Sequence, residues 1–308
     1  MADYSLITKQ KLIHIMKKMS RSSDSYVKRP GKDFSRSRKI SFFDTLRFLL
    51  SLGAKSLDKE LLDFFSYRPD LPTSSAMLQQ RGKLKPNTMK VLFSVFTASL
   101  PKHSNFHGYH LLAADGSELS FPENKKEPLC HRKIPNTQKG KNAIHLNALY
   151  HLNSGIFDQV LFQPVHEKDE HSALITMLAQ TEISGKVILT ADRGYESYNT
   201  FAHILEKGWN FVIRGRQGDR GILSSLAIPD QEQFDVECPV VICKKHCRGT
   251  KEQPELYKRI RSGAKFDFFT AFRDPFYESV QRRNARWNAS GTLPYALDDR
   301  DSIFPAKI

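Results

Sequence analysis

Long hydrophobic runs are missing from this 308-residue sequence; none approaches the roughly 18 residues that a membrane-spanning helix requires. A secretory leader is not legible either. The apolar patch Leu12–Ile13–His14–Ile15–Met16 is interrupted by His14 and followed at once by Lys17 and Lys18. Cysteine is scarce, and four in a chain of this size do not form a disulfide framework. No Gly-Lys-Ser/Thr loop and no dinucleotide glycine fingerprint is present, so no nucleotide cofactor is expected. Internal repeats are absent as well. The last shortage is acidic charge: 33 Asp and Glu stand against 47 Lys and Arg, which leaves +14 and a pI near 9.6. Such a surplus favours a polyanionic partner, because each phosphate neutralised releases condensed counterions. The expectation is a cytoplasmic protein that meets nucleic acid and no membrane.

What is present fits a globular chain of about two domains. Residues 1–40 are basic and loosely patterned, with Lys9, Lys11, Lys17, Lys18, Arg21, Lys28 and Arg29 among their cations. They read as an arm on DNA or as a solvated tail. Residues 41–105 read as helical. Phe42, Phe43, Leu46, Leu49 and Leu50 recur at intervals of three and four, which makes one apolar stripe. Ser56 is a good N-cap for a second helix, and Pro69 and Pro72 break the chain after it. A third helix begins at Thr73 or Ser74 and stops near Gly82; a fourth runs from Thr88 to Leu100. The second and third resemble a helix-turn-helix, or equally a packed helical pair. On the first alternative, Gln79, Gln80, Arg81 and Lys83 contact DNA.

The pattern changes after Gly108. A short apolar run, Leu111–Ala114, ends on Asp115–Gly116–Ser117, and Ala143–Leu152 alternates as a strand. Asn153–Ser154–Gly155 supplies a turn, and Phe157–Phe162 returns as the hairpin partner. A helix from about Glu170 to Ile183 precedes a buried strand, Val187–Ala191, which delivers Asp192. Another helix, Tyr198–Lys207, leads into the strand Trp209–Ile213. The order predicts an α/β fold with a mixed sheet flanked by helices. Both apolar strands hand over an aspartate where open α/β sheets place their chemistry.

Two such carboxylates suit phosphodiester chemistry. Divalent ions held by shared carboxylates activate the nucleophile and stabilise the leaving oxygen, and magnesium needs only one or two protein carboxylates. An Asp-Gly after a strand is also an ordinary turn, so neither residue alone carries the argument. The pair on a basic protein does.

These segments resemble a known family. Leu112-Ala-Ala-Asp-Gly-Ser117 is similar to the first catalytic block of insertion-sequence transposases of the IS-four family. Thr190-Ala-Asp-Arg-Gly-Tyr-Glu-Ser-Tyr-Asn199 is similar to the second. The intervening Lys139–Tyr150 and the helical beginning at Ser41–Phe65 share the likeness, which covers most of residues 40–215. It implies an RNase H-like catalytic core over 108–215 behind a helical DNA-binding region. It also implies a cut-and-join reaction dependent on Mg2+ or Mn2+. Asp115 and Asp192 are then catalytic metal ligands. Lys139, Lys141, Arg193 and Tyr195 are expected against the DNA backbone, with Arg193 and Tyr195 serving equally as braces of their loop. The implied partners are double-stranded DNA, as the element's terminal inverted repeats and as target, and a second copy of the chain in synapsis. The implied setting is the bacterial cytoplasm, at the nucleoid when bound.

One departure stands out. The family completes its site with a glutamate inside a Tyr-x2-Arg-x3-Glu-x6-Lys pattern on a later helix. After Asp192 the pattern is not found: Tyr257 is followed three on by Ile260, and Tyr277 by Val280. Residues 216–308 are expected to form a β-rich insertion that is incomplete, as in a truncated or frameshifted copy. A catalytically dead or repurposed binder of element ends is therefore the alternative, and a host nuclease of the same core a third reading. Cys238, Cys243, His246 and Cys247 lack the paired C-x2-C knuckles of structural zinc sites and read as ordinary cysteines. In His166-Glu-Lys-Asp-Glu-His171, Asp169 and Glu170 favour a helix N-terminus, or one of Glu167, Asp169 and Glu170 lends a substitute ligand.

Overall fold

The computed structural model describes residues 2–36, 38–135, 137, 139–215, 221–226, 229, 234–240, 266–273 and 303–305. The chain divides into two compact units, Met1–Pro101 and Lys102–Ile308.

The first unit is helical: α1 (Ala2–Arg21), α2 (Phe42–Ser51), α3 (Leu57–Phe64), α4 (Ser74–Lys83) and α5 (Thr88–Ser99). Here the loosely patterned arm expected over residues 1–40 is replaced by structure. Ile15, Met16 and Met19 of α1 are buried in one cluster with Val27, Leu46 and Leu92, because they recur on a single helix face that the lysines between them obscure. Helix α2 begins with a capping box: the Ser41 hydroxyl accepts the Asp44 N–H, and the Asp44 carboxylate accepts the Ser41 N–H. Its Phe48 packs with Leu61, Phe65 and Met77 in a second cluster. Thr73 caps α4 through the Ala76 N–H. Between α3 and α4 lie residues 65–73, a connection longer than the roughly three- to four-residue turn of a helix-turn-helix. Among the described residues no helix is long and apolar enough to cross a membrane.

The second unit is built on a mixed sheet. Strand β1 (Tyr109–Phe121) pairs antiparallel with β3 (Gly140–His151), which pairs antiparallel with β4 (Ile156–Pro164); β2 (His131–Lys133) lies beside β3. On its other side β1 runs parallel to β5 (Lys186–Ala191), and β5 parallel to β6 (Asn210–Arg214). Helices α6 (Glu170–Gln180) and α7 (Tyr198–Glu206) make the crossovers. The order β4-β3-β1-β5-β6, antiparallel on one flank and parallel on the other, is the RNase H-like sheet that the resemblance implied. Its core joins the sheet to both helices through Leu112, Leu149, Leu174, Leu189, Phe201 and Phe211.

Within 216–308, β7 (Phe234–Val240) and β8 (Phe266–Arg273) pair antiparallel, and β9 (Ile303–Pro305) pairs antiparallel with β6. The short β9 lies in a stretch whose composition had suggested no strand. Cys238 falls in β7, whereas Cys243, His246 and Cys247 lie outside the described residues.

A candidate active site beside the last parallel rung

Strand β1 does not stop at Asp115, as the short apolar run had suggested. It continues to Phe121, because β3 keeps pairing with it as far as Phe121↔Asn142. What stops is β5. The parallel register ends with Ala113↔Thr190 and Ala114↔Ala191, so Asp115 and Asp192 follow next on the two strands, side by side at the C-terminal end of β5. Seventy-seven residues of sequence separation close into adjacency there (192 − 115).

Backbone N–H groups orient both carboxylates. Gly116 donates to Asp115 Oδ1 at 2.7 Å, and Gly194 donates to Asp192 Oδ1 at 2.8 Å. Asp192 thereby caps the short 3-10 turn Arg193–Tyr195. Gly194 permits this tight approach, since a Cβ there would stand 2.9 Å from the same oxygen.

Two further residues gather here: His145, not singled out in the sequence, and Glu170, named there as a helix N-terminal acid or a substitute ligand. A Cβ at Gly116 would stand 2.4 Å from His145 Nε2 and 3.0 Å from Glu170 Oε1, so the glycine admits both side chains against β1 next to Asp115. His145 Nε2 and Glu170 Oε1 are 3.1 Å apart, and Lys168 Nζ lies 3.0 Å from the same Glu170 oxygen. Glu170 is the first residue of α6, where Asp169 provides the cap through the Ser172 N–H. His145 is buried on β3. The alternation of β3 had set it on the more polar side, opposite Ile144, Leu146, Ala148 and Tyr150, and it is that side which the structure buries.

Tyr195 is 1% exposed, and its hydroxyl has no hydrogen-bond partner. Burial first, then the charges of Glu170, Asp115 and Asp192, push its phenol well above the ordinary value, so it stays a neutral donor. The charges of Glu170, Asp115 and Asp192 thus all act on one buried O–H. Asp115 and Asp192 supply the hard carboxylate oxygens that a divalent cation takes, and on that chemistry the ion fits them. Among the described residues no three His, Cys, Asp or Glu side chains are already drawn around one point.

The other residues expected on DNA are scattered. Lys139 is exposed at the turn into β3, while Lys141 is engaged by Glu118 at 2.9 Å and by Ser120 at 3.0 Å. In the helical unit Gln79 and Arg81 are exposed on α4. Gln80 is not: it is 7% exposed, and its Oε1 accepts from Lys83 Nζ at 2.9 Å.

Comparison with known proteins follows this geometry. The family described as Transposase DDE domain matches residues 106–272, which includes both aspartates. Among solved structures, the chain is similar to a piggyBac transposase in a synaptic complex with hairpin DNA, at 11% identity and a TM-score of 0.44. The match covers 95% of this chain and 58% of that one, less than two thirds of its length. Comparison with curated proteins gives no match.

Proposed function

Because the chain belongs to the transposase DDE-domain family over residues 106–272, we propose that it cuts DNA at the ends of a mobile element and joins them to target DNA. The observation that carries this reading is the adjacency of Asp115 and Asp192 where β5 ends beside β1. The two aspartates hold Mg2+ or Mn2+. The ion's contribution, when bound, is to activate the attacking oxygen and stabilise the leaving one. Gly116 and Gly194 fix the carboxylates through their N–H groups, so little reorientation is required when a phosphodiester arrives. Tyr195, buried and held neutral, braces the loop that carries Asp192. Arg193, next to Asp192, steadies the DNA backbone. The chain works on double-stranded DNA as a homodimer that brings two element ends together, and it falls within the IS-four group.

Nicking of duplex DNA carrying the element ends tests this. Mg2+- or Mn2+-dependent cleavage is expected from the intact chain and is lost on Asp115→Ala or on Asp192→Ala. Cleavage unchanged in either variant would refute the assignment. A second reading is a binder of element ends without chemistry, since the net charge of +14 suits DNA binding with or without cleavage. Specific binding with no cleavage under either metal would select it.

A further inference from the structure

The loop between α1 and α2 and the end of α4 enclose a cavity of about 630 Å³ within the helical unit. Its walls carry Arg29, Lys32, Arg36, Arg38 and Lys83 against one acid, Asp33. That acid is spoken for. Asp33 is 2% exposed, and its carboxylate takes the Arg29 guanidinium at 2.9 and 3.3 Å and the Arg29 N–H at 3.1 Å. Burial works to raise its pKa, but the Arg29 hydrogen bonds prevail and hold the carboxyl below its ordinary value. Asp33 therefore stays an anion that anchors Arg29 and leaves the remaining cations uncompensated. Lys32, Arg36 and Arg38 are exposed and have no acidic partner among the described residues.

The cavity is also rigidly shaped. Phe34 sits at φ 62°, a left-handed conformation that a bulky residue adopts only when its surroundings enforce it. It is pinned from two sides: its ring meets Phe42 edge-on at 5.5 Å, and Lys83 Nζ lies 5.2 Å over it. Gln80 holds the same ammonium at 2.9 Å. The backbone at Phe34 is thus bent around a fixed aromatic, with cations turned to one hollow. A merely solvated basic tail requires neither the strain nor the pinning.

We propose that this hollow is a phosphodiester-binding cradle that grips the backbone of duplex DNA. This rests on the reading of the chain as a DNA-processing protein and deepens it by giving the helical unit a stated contact. Lys32, Arg36 and Arg38 neutralise phosphates. Arg29 and Lys83, held by Asp33 and Gln80, form the fixed walls. The contact is sequence-independent, because it addresses phosphate oxygens and no base edge.

The test measures binding of the full-length chain to a fluorescent duplex across a salt series. Two double variants remove equal charge: Arg36→Gln with Arg38→Gln in the cradle, and Lys59→Gln with Lys90→Gln on exposed positions of the same unit. The cradle pair is expected to weaken binding tenfold or more near 0.1 M salt and to lower the salt slope by about 1–2. The control pair is expected to change affinity less than threefold. Equal effects of the two pairs, or none from the cradle pair, would overturn the cradle. Inorganic phosphate supplies the other arm. If millimolar phosphate stabilises the protein saturably, this is lost in the cradle pair, and duplex binding is unchanged, the hollow takes a free anion and the proposal fails. Metal-dependent cleavage by the intact chain, alongside unaltered binding by the cradle pair, would sink this inference alone. A chain that binds no duplex at all would sink both.

Discussion

At Gly116 a single missing methyl group keeps room for two side chains against β1. Gly116→Ala forces His145 and Glu170 off that strand, since the new Cβ would stand 2.4 Å from one and 3.0 Å from the other. Displacements near 1 Å beside reacting groups cost about 100-fold in rate. Cleavage by this variant is expected to fall by about that factor, with the melting temperature lowered only a few degrees. Wild-type turnover would show that neither neighbour matters. A second residue-scale prediction concerns pH. His151 is fully buried at the far end of β3, with its Nε2 2.9 Å from His110 Nδ1. Burial first, and then the neighbouring His110, lower its pKa to about 4. The unfolded chain takes up this proton near the ordinary histidine value, while the folded chain refuses it until about 4. Stability is therefore intact above pH 7 and is lost as pH falls from about 6.5 toward 4, by roughly 1–3 kcal/mol. Denaturant melts at pH 7.5 and 5 should differ, and His151→Phe should shrink the difference.

Among elements, α2 shows how local chemistry places a boundary. The capping box between Ser41 and Asp44 satisfies N–H groups that no helix turn can reach. Ser41→Ala is expected to cost about 1 kcal/mol, read as a lower urea midpoint, while Ser41→Asn should retain most of it. Apolar spacing is why α2 and α5 were legible from residues alone, and the Thr73 cap marked α4; β3, β4, β5 and α7 were legible where periodicity and turn residues agree. Others were not, β2 and β9 among them. Lysines spaced through α1 hid its apolar face, and the strand beyond Asp115 lacks the alternation that marks β3: Gly116, Ser117 and Glu118 follow the aspartate, and β1 persists only because β3 pairs with it. The site divided along the same line. Asp115 and Asp192 could be named because each follows an apolar run, but Gly116, His145 and Glu170 meet only through tertiary contact. Gln80 was misplaced because exposure on a short helix cannot be inferred when a neighbouring loop folds over it.

For the whole molecule, a net charge of +14 argues that DNA affinity is dominated by counterion release. Duplex affinity should fall linearly on a log–log plot as salt rises, by about 10³-fold or more between 50 and 200 mM if six or so phosphates are met. An affinity indifferent to salt would exclude backbone contacts as the main attraction. The RNase H-like arrangement also fixes the order of events in assembly. The β3–β4 hairpin is built from neighbours in sequence, whereas the rung Ala114↔Ala191 unites residues 77 apart (191 − 114). Contacts of such separation form late, after shorter loops have closed. A chain still emerging from the ribosome therefore carries Asp115 on a strand without its neighbour. The pairing of the two aspartates arrives only when β5 docks, so the geometry that makes the site also postpones it.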